Sequence, residues 1–303
     1  MDEQEFVTVG LGELIWDVLP EGKQLGGAPT NFAYISRLVG DRSTVATRVG
    51  TDAWGSEAVM RLDALGVETR YVQRDTEHPT GTVRVRLDAR GEATFEVNQN
   101  SAWDYLAWTR EWQELAARAD AVCFGTLGQR APQARAVISS FLRATRPAAL
   151  RVFDVNLRHS FFDASMLADS LTLARVVKLN SDELPLVASM LGLDAAGDEA
   201  ALSLQLLRDF SLDVVAVTRG ARGSLLFSRD EQVEHEGFRV RVADTIGAGD
   251  AFAAALTHQL LRRAPLERAS RAANWTGAWV AGRCGATPQV DVESFRREYE
   301  RQL

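Results

Sequence analysis

Residues 243–252 read ADTIGAGDAF, and an apolar run, AFAAALTHQLL, follows from Ala251. Gly247 and Gly249 stand one residue apart, and Asp250 comes directly after them. One reading is a helix start whose acidic residue complements the macrodipole. The other is an anion site with a base beside it. At a helix start the N–H groups of Gly247, Ala248 and Gly249 have no intrahelical partner. Glycine offers no Cβ to hold a phosphate away, and the dipole favours an anion there. A carboxylate next to a phosphate is repulsive for binding alone. It is useful if it takes the proton from a hydroxyl attacking that phosphate.

Outward from this stretch, the chain repeats one pattern. Apolar strands ADAVCFG (119–125), LRVFDV (150–155), ARVVKL (174–179) and LDVVAVT (212–218) are separated by helix-like segments. Strands alternating with helices predict an α/β fold with a mostly parallel sheet covered on both faces. GSLLFS to FRVRV (223–242) reads as further β structure, and two or three helices close the chain. Near the N-terminus, FVTVG (6–10) and STVATRVG (43–50) read as strands, GAPTNFAYISRLV (27–39) and EAVMRLDALG (57–66) as helices. TGTVRVRLDARGEATFEVN (80–98) alternates apolar and polar residues around DARGE, which predicts a hairpin with one solvated face. In it Val83, Val85 and Leu87 oppose Arg84, Arg86 and Asp88. The expected organisation is a single domain over 1–303, with a small antiparallel appendage from about 11–25 and 80–101.

Composition sets aside several classes. The chain has 303 residues, 46% apolar and 25% charged, with a net charge of −7. An acidic chain without a basic block is a poor nucleic-acid binder, because phosphate neutralisation drives that affinity. Lysine occurs only at Lys23 and Lys178. Two distant cysteines, Cys123 and Cys284, argue for a reducing, cytoplasmic setting rather than a disulfide scaffold. MDEQEFVTVG lacks the pattern of a signal peptide, and no apolar run is long enough for a membrane span. There is no P-loop, since Gly22-Lys23 is followed by Gln24. Gly10 and Gly12 follow a strand, but Ile15 stands where a dinucleotide fingerprint needs glycine. His78, His159, His235 and His258 have no metal spacing, and no G-x-S-x-G occurs.

DTIGAGDAF resembles the C-terminal signature of the ribokinase-like (pfkB-type) sugar kinases, usually D-T-x-G-A-G-D, with Ile246 a conservative departure. The resemblance extends over almost the whole chain. LGGAPTNFAYISRLVG (25–40) is similar to the family's N-terminal signature and RVGTDAWG (48–55) to its R-V-G-x-D-x-x-G. KLNSDEL (178–184) contains its N-x-x-E, and AVTRGARGSLLF (216–227) is similar to its V-T-x-G-x-x-G. FDVNLR (153–158) resembles the fructokinase and 2-keto-3-deoxygluconate kinase subgroups. The resemblance therefore implies a ribokinase-like sheet with a small β lid, often also a dimer contact, and ATP-dependent phosphorylation of a sugar primary hydroxyl. D-Fructose is the expected substrate and 2-keto-3-deoxygluconate the alternative. A sugar-binding regulator without turnover is disfavoured by the intact Asp250.

The resemblance also implies roles by position. Asp250 is the expected base, Gly247, Ala248 and Gly249 the anion hole, and Arg158 a clamp on a phosphate or a sugar carboxylate. Asp17, Gly26, Gly27 and Asn31 are expected on the sugar, with Asp154 and Asn156 orienting Arg158. Lys178, Asn180, Thr218, Gly220, Gly223 and Asn274 are expected on the nucleotide. Asn180 and Glu183 match the motif that organises Mg²⁺ through water, and Asn180 also reads as a helix N-cap. Asp244 and the segment around Cys284–Pro288 correspond to loops that bind a monovalent cation such as K⁺ in many relatives.

Overall fold

The computed structural model describes residues 5–19, 22–87, 93–158, 160–193 and 198–303, with the backbone alone for 85–87 and 93–95. The turn of the early hairpin and His159 lie outside the described residues. In chain order the elements begin β1 (Val7–Leu11), β2 (Ile15–Leu19), β3 (Gly22–Gly26), α1 (Ala28–Val39), β4 (Arg42–Gly50) and α2 (Ala53–Ala64). There follow β5 (Val72–Asp75), β6 (Gly81–Leu87), β7 (Ala93–Val97), α3 (Arg110–Arg118), β8 (Ala121–Gly125), α4 (Pro132–Arg143), β9 (Leu150–Asp154) and α5 (Ala164–Leu173). The chain continues with β10 (Val176–Asn180), α6 (Glu183–Met190), α7 (Glu199–Asp209), β11 (Val214–Thr218), β12 (Ser224–Ser228) and β13 (Gln232–His235). It closes with α8 (Ala248–Leu261), α9 (Leu266–Ala281) and α10 (Val292–Arg301).

The large sheet has the order β13-β12-β11-β10-β9-β8-β1-β4-β5. Every neighbouring pair from β11 to β5 is parallel, and β12 and β13 add an antiparallel edge. β8, β10 and β11 are nearly continuous apolar runs, as strands covered on both faces must be. One face carries α1, α2, α8, α9 and α10 over a core that includes Phe32, Ile35, Phe252 and Trp275. The other carries α3 to α7 over Trp112, Phe141, Phe153 and Leu206. The strand order reverses between β1 and β8, and in open α/β sheets the crevice beyond the strand ends at such a point is where ligands bind.

FRVRV (238–242) forms no strand. Val240 and Val242 face solvent, and just beyond the segment the Ala243 and Asp244 N–H groups donate to the Ala281 carbonyl at the end of α9.

A second sheet, β3-β2-β6-β7, consists of two antiparallel hairpins joined through a parallel β2–β6 pair. The register sets Asp17 opposite Val83 and Gln24. Alternation then puts Ile15, Asp17 and Val83 on one face, and Ile15 and Val83 pack there with Trp103 and Leu127. On the other face Trp16 meets Trp54 of α2 edge-on, and Lys23 Nζ sits over both rings, 4.7 and 4.4 Å from their centroids. These contacts, with Lys23–Glu57, tie the small sheet to the body.

Candidate active site

Gly247 caps α8 in the left-handed region, at φ 79, where a side chain would be strained. A Cβ there would also lie 2.3 Å from Ala286 Cβ, so the 283–288 loop packs directly on the helix entry. That loop is held twice more: Asp244 Oδ2 accepts the Gly285 N–H at 3.2 Å, and the Tyr34 hydroxyl donates to the Pro288 carbonyl. Asp250 falls in the first turn of α8. Its Oδ2 accepts a hydrogen bond from Asn31 Nδ2 at 2.8 Å. Asn31 lies in the first turn of α1, so two helix N-termini converge on one carboxylate. Burial pushes the Asp250 carboxyl above its ordinary range, partly offset by Lys178, the Asn31 hydrogen bond and Arg158.

Beneath this turn lies a buried ion pair. Lys178 on β10 and Asp154 on β9 are register partners, and Lys178 Nζ is 3.0 and 3.2 Å from the two Asp154 oxygens. A Cβ on Gly249 would come within 2.7 Å of Lys178 Nζ, so the ammonium rests against the bare backbone of Gly249 in the first turn of α8. Burial works to lower the Lys178 pKa, but Asp154, Asp250 and Glu183 override it and the net direction is up, so the ammonium stays charged. Burial pushes Asp154 up to about 7 despite Lys178.

At the ends of β10 and β11 the polar groups are tied to backbone. Asn180 Oδ1 accepts the N–H groups of Asp182 and Glu183 at 2.9 and 2.8 Å, which caps α6. Glu183 Oε2 accepts the Asn180 N–H and Oε1 the Leu157 N–H, both at 2.8 Å. Thr218 ends β11, and Gly220 and Gly223 turn the chain at φ 57 and 80. A Cβ on Gly223 would lie 1.8 Å from the His235 carbonyl oxygen, so only glycine fits.

On the side of the small sheet, Asp17 reaches across its strand pair. A Cβ on Gly26 would lie 2.4 Å from Asp17 Oδ2, so the bare backbone of Gly26 makes room for that carboxylate. Burial raises the Asp17 pKa to about 6, with Arg158 pulling it down and Asp244 pushing it up. Arg158 is exposed, beyond Asn156, whose φ of 38 bends the chain out of β9. Its charge reaches Asp17, Glu13 and Asp250 alike.

A half-buried carboxylate at a helix N-terminus, a lysine beneath it and the Asp17 carboxylate alongside form the geometry of a transfer site. The family profile of the pfkB family carbohydrate kinases matches residues 9–292. The chain is a carbohydrate kinase of this family. An Escherichia coli fructokinase is 31% identical to this kinase over 81% of each chain. The crystal structure of an uncharacterized sugar kinase from Pyrococcus horikoshii superposes with a TM-score of 0.83 at 25% identity, covering 98% of this chain and 99% of that one. That of a Vibrio cholerae fructokinase with fructose, ADP and calcium bound superposes with a TM-score of 0.80 at 25% identity, covering 97% and 99%.

In the kinase, Asp250, Gly247, Ala248, Gly249, Asn31, Lys178 and Arg158 gather at one place, with Asp17, Gly26 and Gly27 beside it. Two expectations need correction. Asp154 does not orient Arg158; it is 2% exposed and its carboxylate is spent on Lys178. Asn274 is buried and its amide donates to Ser224 Oγ and the Ser270 carbonyl at 2.7 and 2.8 Å, so it ties α9 to β12. Asp244, expected at a cation loop, has both oxygens on backbone N–H groups, of Ile246 and Gly285, and joins two loops. Sequence reasoning missed Glu13. It sits in GLGELIWD, where Asp17 draws the attention, yet it is 3% exposed and feels the charge of Asp250. The only local signal was an acid placed directly after a strand that ends in Gly-x-Gly.

Proposed function

We propose that this kinase transfers the γ-phosphoryl group of ATP to a primary hydroxyl of D-fructose, with Asp250 as the general base. The observation that carries this is the Asp250 carboxylate in the first turn of α8, held by Asn31 at 2.8 Å with Lys178 Nζ packed under Gly249. The N–H groups of Gly247 and Gly249 face the transferred group, while the Ala248 N–H donates to the Thr245 carbonyl at 3.3 Å, and the Lys178 ammonium counters the group's charge from below. Burial strengthens Asp250 as a base, which suits removal of a hydroxyl proton near neutral pH. Thr218, Gly220 and Gly223 line the nucleotide side.

Asp17 supplies a carboxylate acceptor for two sugar hydroxyls, beside the bare backbone of Gly26. A neutral polyol suits that acceptor better than a keto-acid. The alternative substrate, 2-keto-3-deoxygluconate, rests on Arg158, which would have to hold the carboxylate away from Asp17. The small sheet of β2, β3, β6 and β7 forms a lid over the sugar, and the same sheet pairs two copies of the chain.

Mg²⁺ fits through water. Both Glu183 oxygens already accept backbone N–H groups, and the described residues hold no cluster of three metal-ligating side chains. A hydrated ion arriving with the nucleotide would be held by Glu183 and Asn180 through its water shell. When bound it neutralises phosphate charge. A monovalent cation such as K⁺ would use carbonyls of the loops that Asp244 joins.

The test is coupled ADP release across fructose, 2-keto-3-deoxygluconate, ribose, glucose, tagatose and nucleosides. The highest kcat/KM is expected on fructose. Preference for the keto-acid would transfer the assignment to the alternative, and no release with any sugar would favour a binding regulator.

A further inference from the structure

Glu13 follows β1 at the reversal point of the large sheet and is 3% exposed. Its Oε1 accepts the Ala28 N–H at 3.2 Å. Its Oε2 is buried with no hydrogen-bond partner. Gly128, beyond β8, makes room for it: a Cβ there would lie 3.1 Å from Oε2. Gly27 closes from the other side, where a Cβ would lie 2.6 Å from the Glu13 carbonyl oxygen. A carboxyl is thus sealed between the entry to α1 and the turn after β8.

The contact to Ala28 supplies something α1 lacks. Gly27 is its N-cap and has no side chain to satisfy the first free N–H groups. Glu13 provides that acceptor from 15 residues upstream. Three residues on, in the same first turn, is Asn31, whose amide holds Asp250. A single line of contacts therefore runs from Glu13 through Ala28 and Asn31 to the base.

We propose that Glu13 is the positioning residue of the base, fixing the first turn of α1 and with it the amide that holds Asp250. This rests on the assignment of Asp250 as base. The charged groups that act on Glu13 are Asp250 from α8 and Arg158 from the loop after β9, and the buried Cys123 thiol on β8 feels its charge. Burial pushes the Glu13 carboxyl up to about 7, with its own and Ala28's backbone N–H lowering it, Asp250 raising it and Arg158 lowering it. A neutral acid keeps its acceptor on Ala28 without setting a second buried charge beside Asp250. Because the folded value lies above the ordinary value of 4.5, the stabilisation is complete below that value and is lost as pH rises through about 7.

Glutamine at 13 keeps the acceptor and never ionises; alanine removes both. In the full-length kinase, Glu13→Ala is expected to lower kcat by roughly 10–100-fold, with KM for MgATP within about twofold. Glu13→Gln restores kcat to within about threefold of wild type. The difference in Tm between Glu13→Gln and wild type grows by a few degrees in favour of glutamine from about pH 5 to about pH 8. A purely structural cap would lower Tm in Glu13→Ala but leave kcat of the folded variant near wild type, and glutamine would then restore stability alone. Glu13→Gln losing more than about tenfold in kcat, or a folded Glu13→Ala keeping kcat within about twofold of wild type, overturns the proposal. The Glu13→Gln readout holds if Glu13→Ala does not fold. Failure of the kinase reading is a separate result, seen as wild type releasing no ADP, while the melting curves still report on Glu13.

Discussion

Gly249→Ala places a single methyl group between α8 and Lys178. The new Cβ would stand 2.7 Å from Lys178 Nζ, where ordinary contact begins at 3.4 Å, so the ammonium must retreat by several tenths of an ångström. It is not a free chain end. Lys178 is 6% exposed and held 3.0 and 3.2 Å from the two Asp154 oxygens, so its displacement disturbs a buried ion pair as well as the phosphoryl site. Misplacement on the scale of an ångström costs up to about 10²-fold in rate. We expect kcat to fall about 10–100-fold, which is roughly 1.4–2.8 kcal/mol of transition-state stabilisation. Stability should move little, because alanine in a helix gains up to about 1 kcal/mol over glycine and offsets part of the strain. Coupled ADP release with saturating fructose and MgATP gives kcat, and a melting curve gives Tm. A variant within about twofold of wild-type kcat, with Tm unchanged, would refute the placement of Lys178 under the moving phosphoryl group.

Asp17→Ala should weaken kcat/KM on the sugar by about 2–4 kcal/mol, since it removes charge-assisted hydrogen bonds in a closed site, and leave KM for MgATP nearly unchanged. Asp52 caps α2 through the Gly55 N–H at 2.7 Å and also takes the Thr80 N–H and hydroxyl at 2.8 and 2.7 Å. Asp52→Ala is therefore expected to cost about 2–4 kcal/mol in denaturant unfolding, and a loss below about 0.5 kcal/mol would contradict that accounting. The kinase should be a dimer by light scattering at micromolar concentration; a fully active monomer would remove the small sheet as an interface.

What was legible in the sequence was local. GAGD ahead of an apolar run marks the start of α8, and the glycines at 247 and 249 mark the places where Ala286 and Lys178 come close. Alternating strands and helices gave the parallel sheet, because strands covered on both faces must be apolar throughout. What was not legible depends on partners far along the chain. Asp154 reads as a polar residue at a strand end, yet its partner is Lys178, set beside it only by the β9–β10 register. Asn274 is committed to Ser224, 50 residues away, which no motif records. FRVRV has strand alternation, yet it pairs with no strand and turns Val240 and Val242 to solvent. Glu13 caps a helix that does not begin until Ala28, so no capping box marks it.

The central claim, that a carboxylate at the start of α8 takes the proton from the sugar hydroxyl, is tested most directly by Asp250→Asn. The replacement is nearly isosteric and retains a side chain within reach of Asn31, so melting temperature and nucleotide binding should stay close to wild type. With fructose and MgATP, kcat from coupled ADP release should fall by roughly 10²–10⁴-fold. The acid limb of the wild-type rate profile, which burial of Asp250 sets above the ordinary aspartate range, should vanish with it. A folded Asp250→Asn enzyme that keeps most of its kcat and its acid limb would show that the base lies elsewhere.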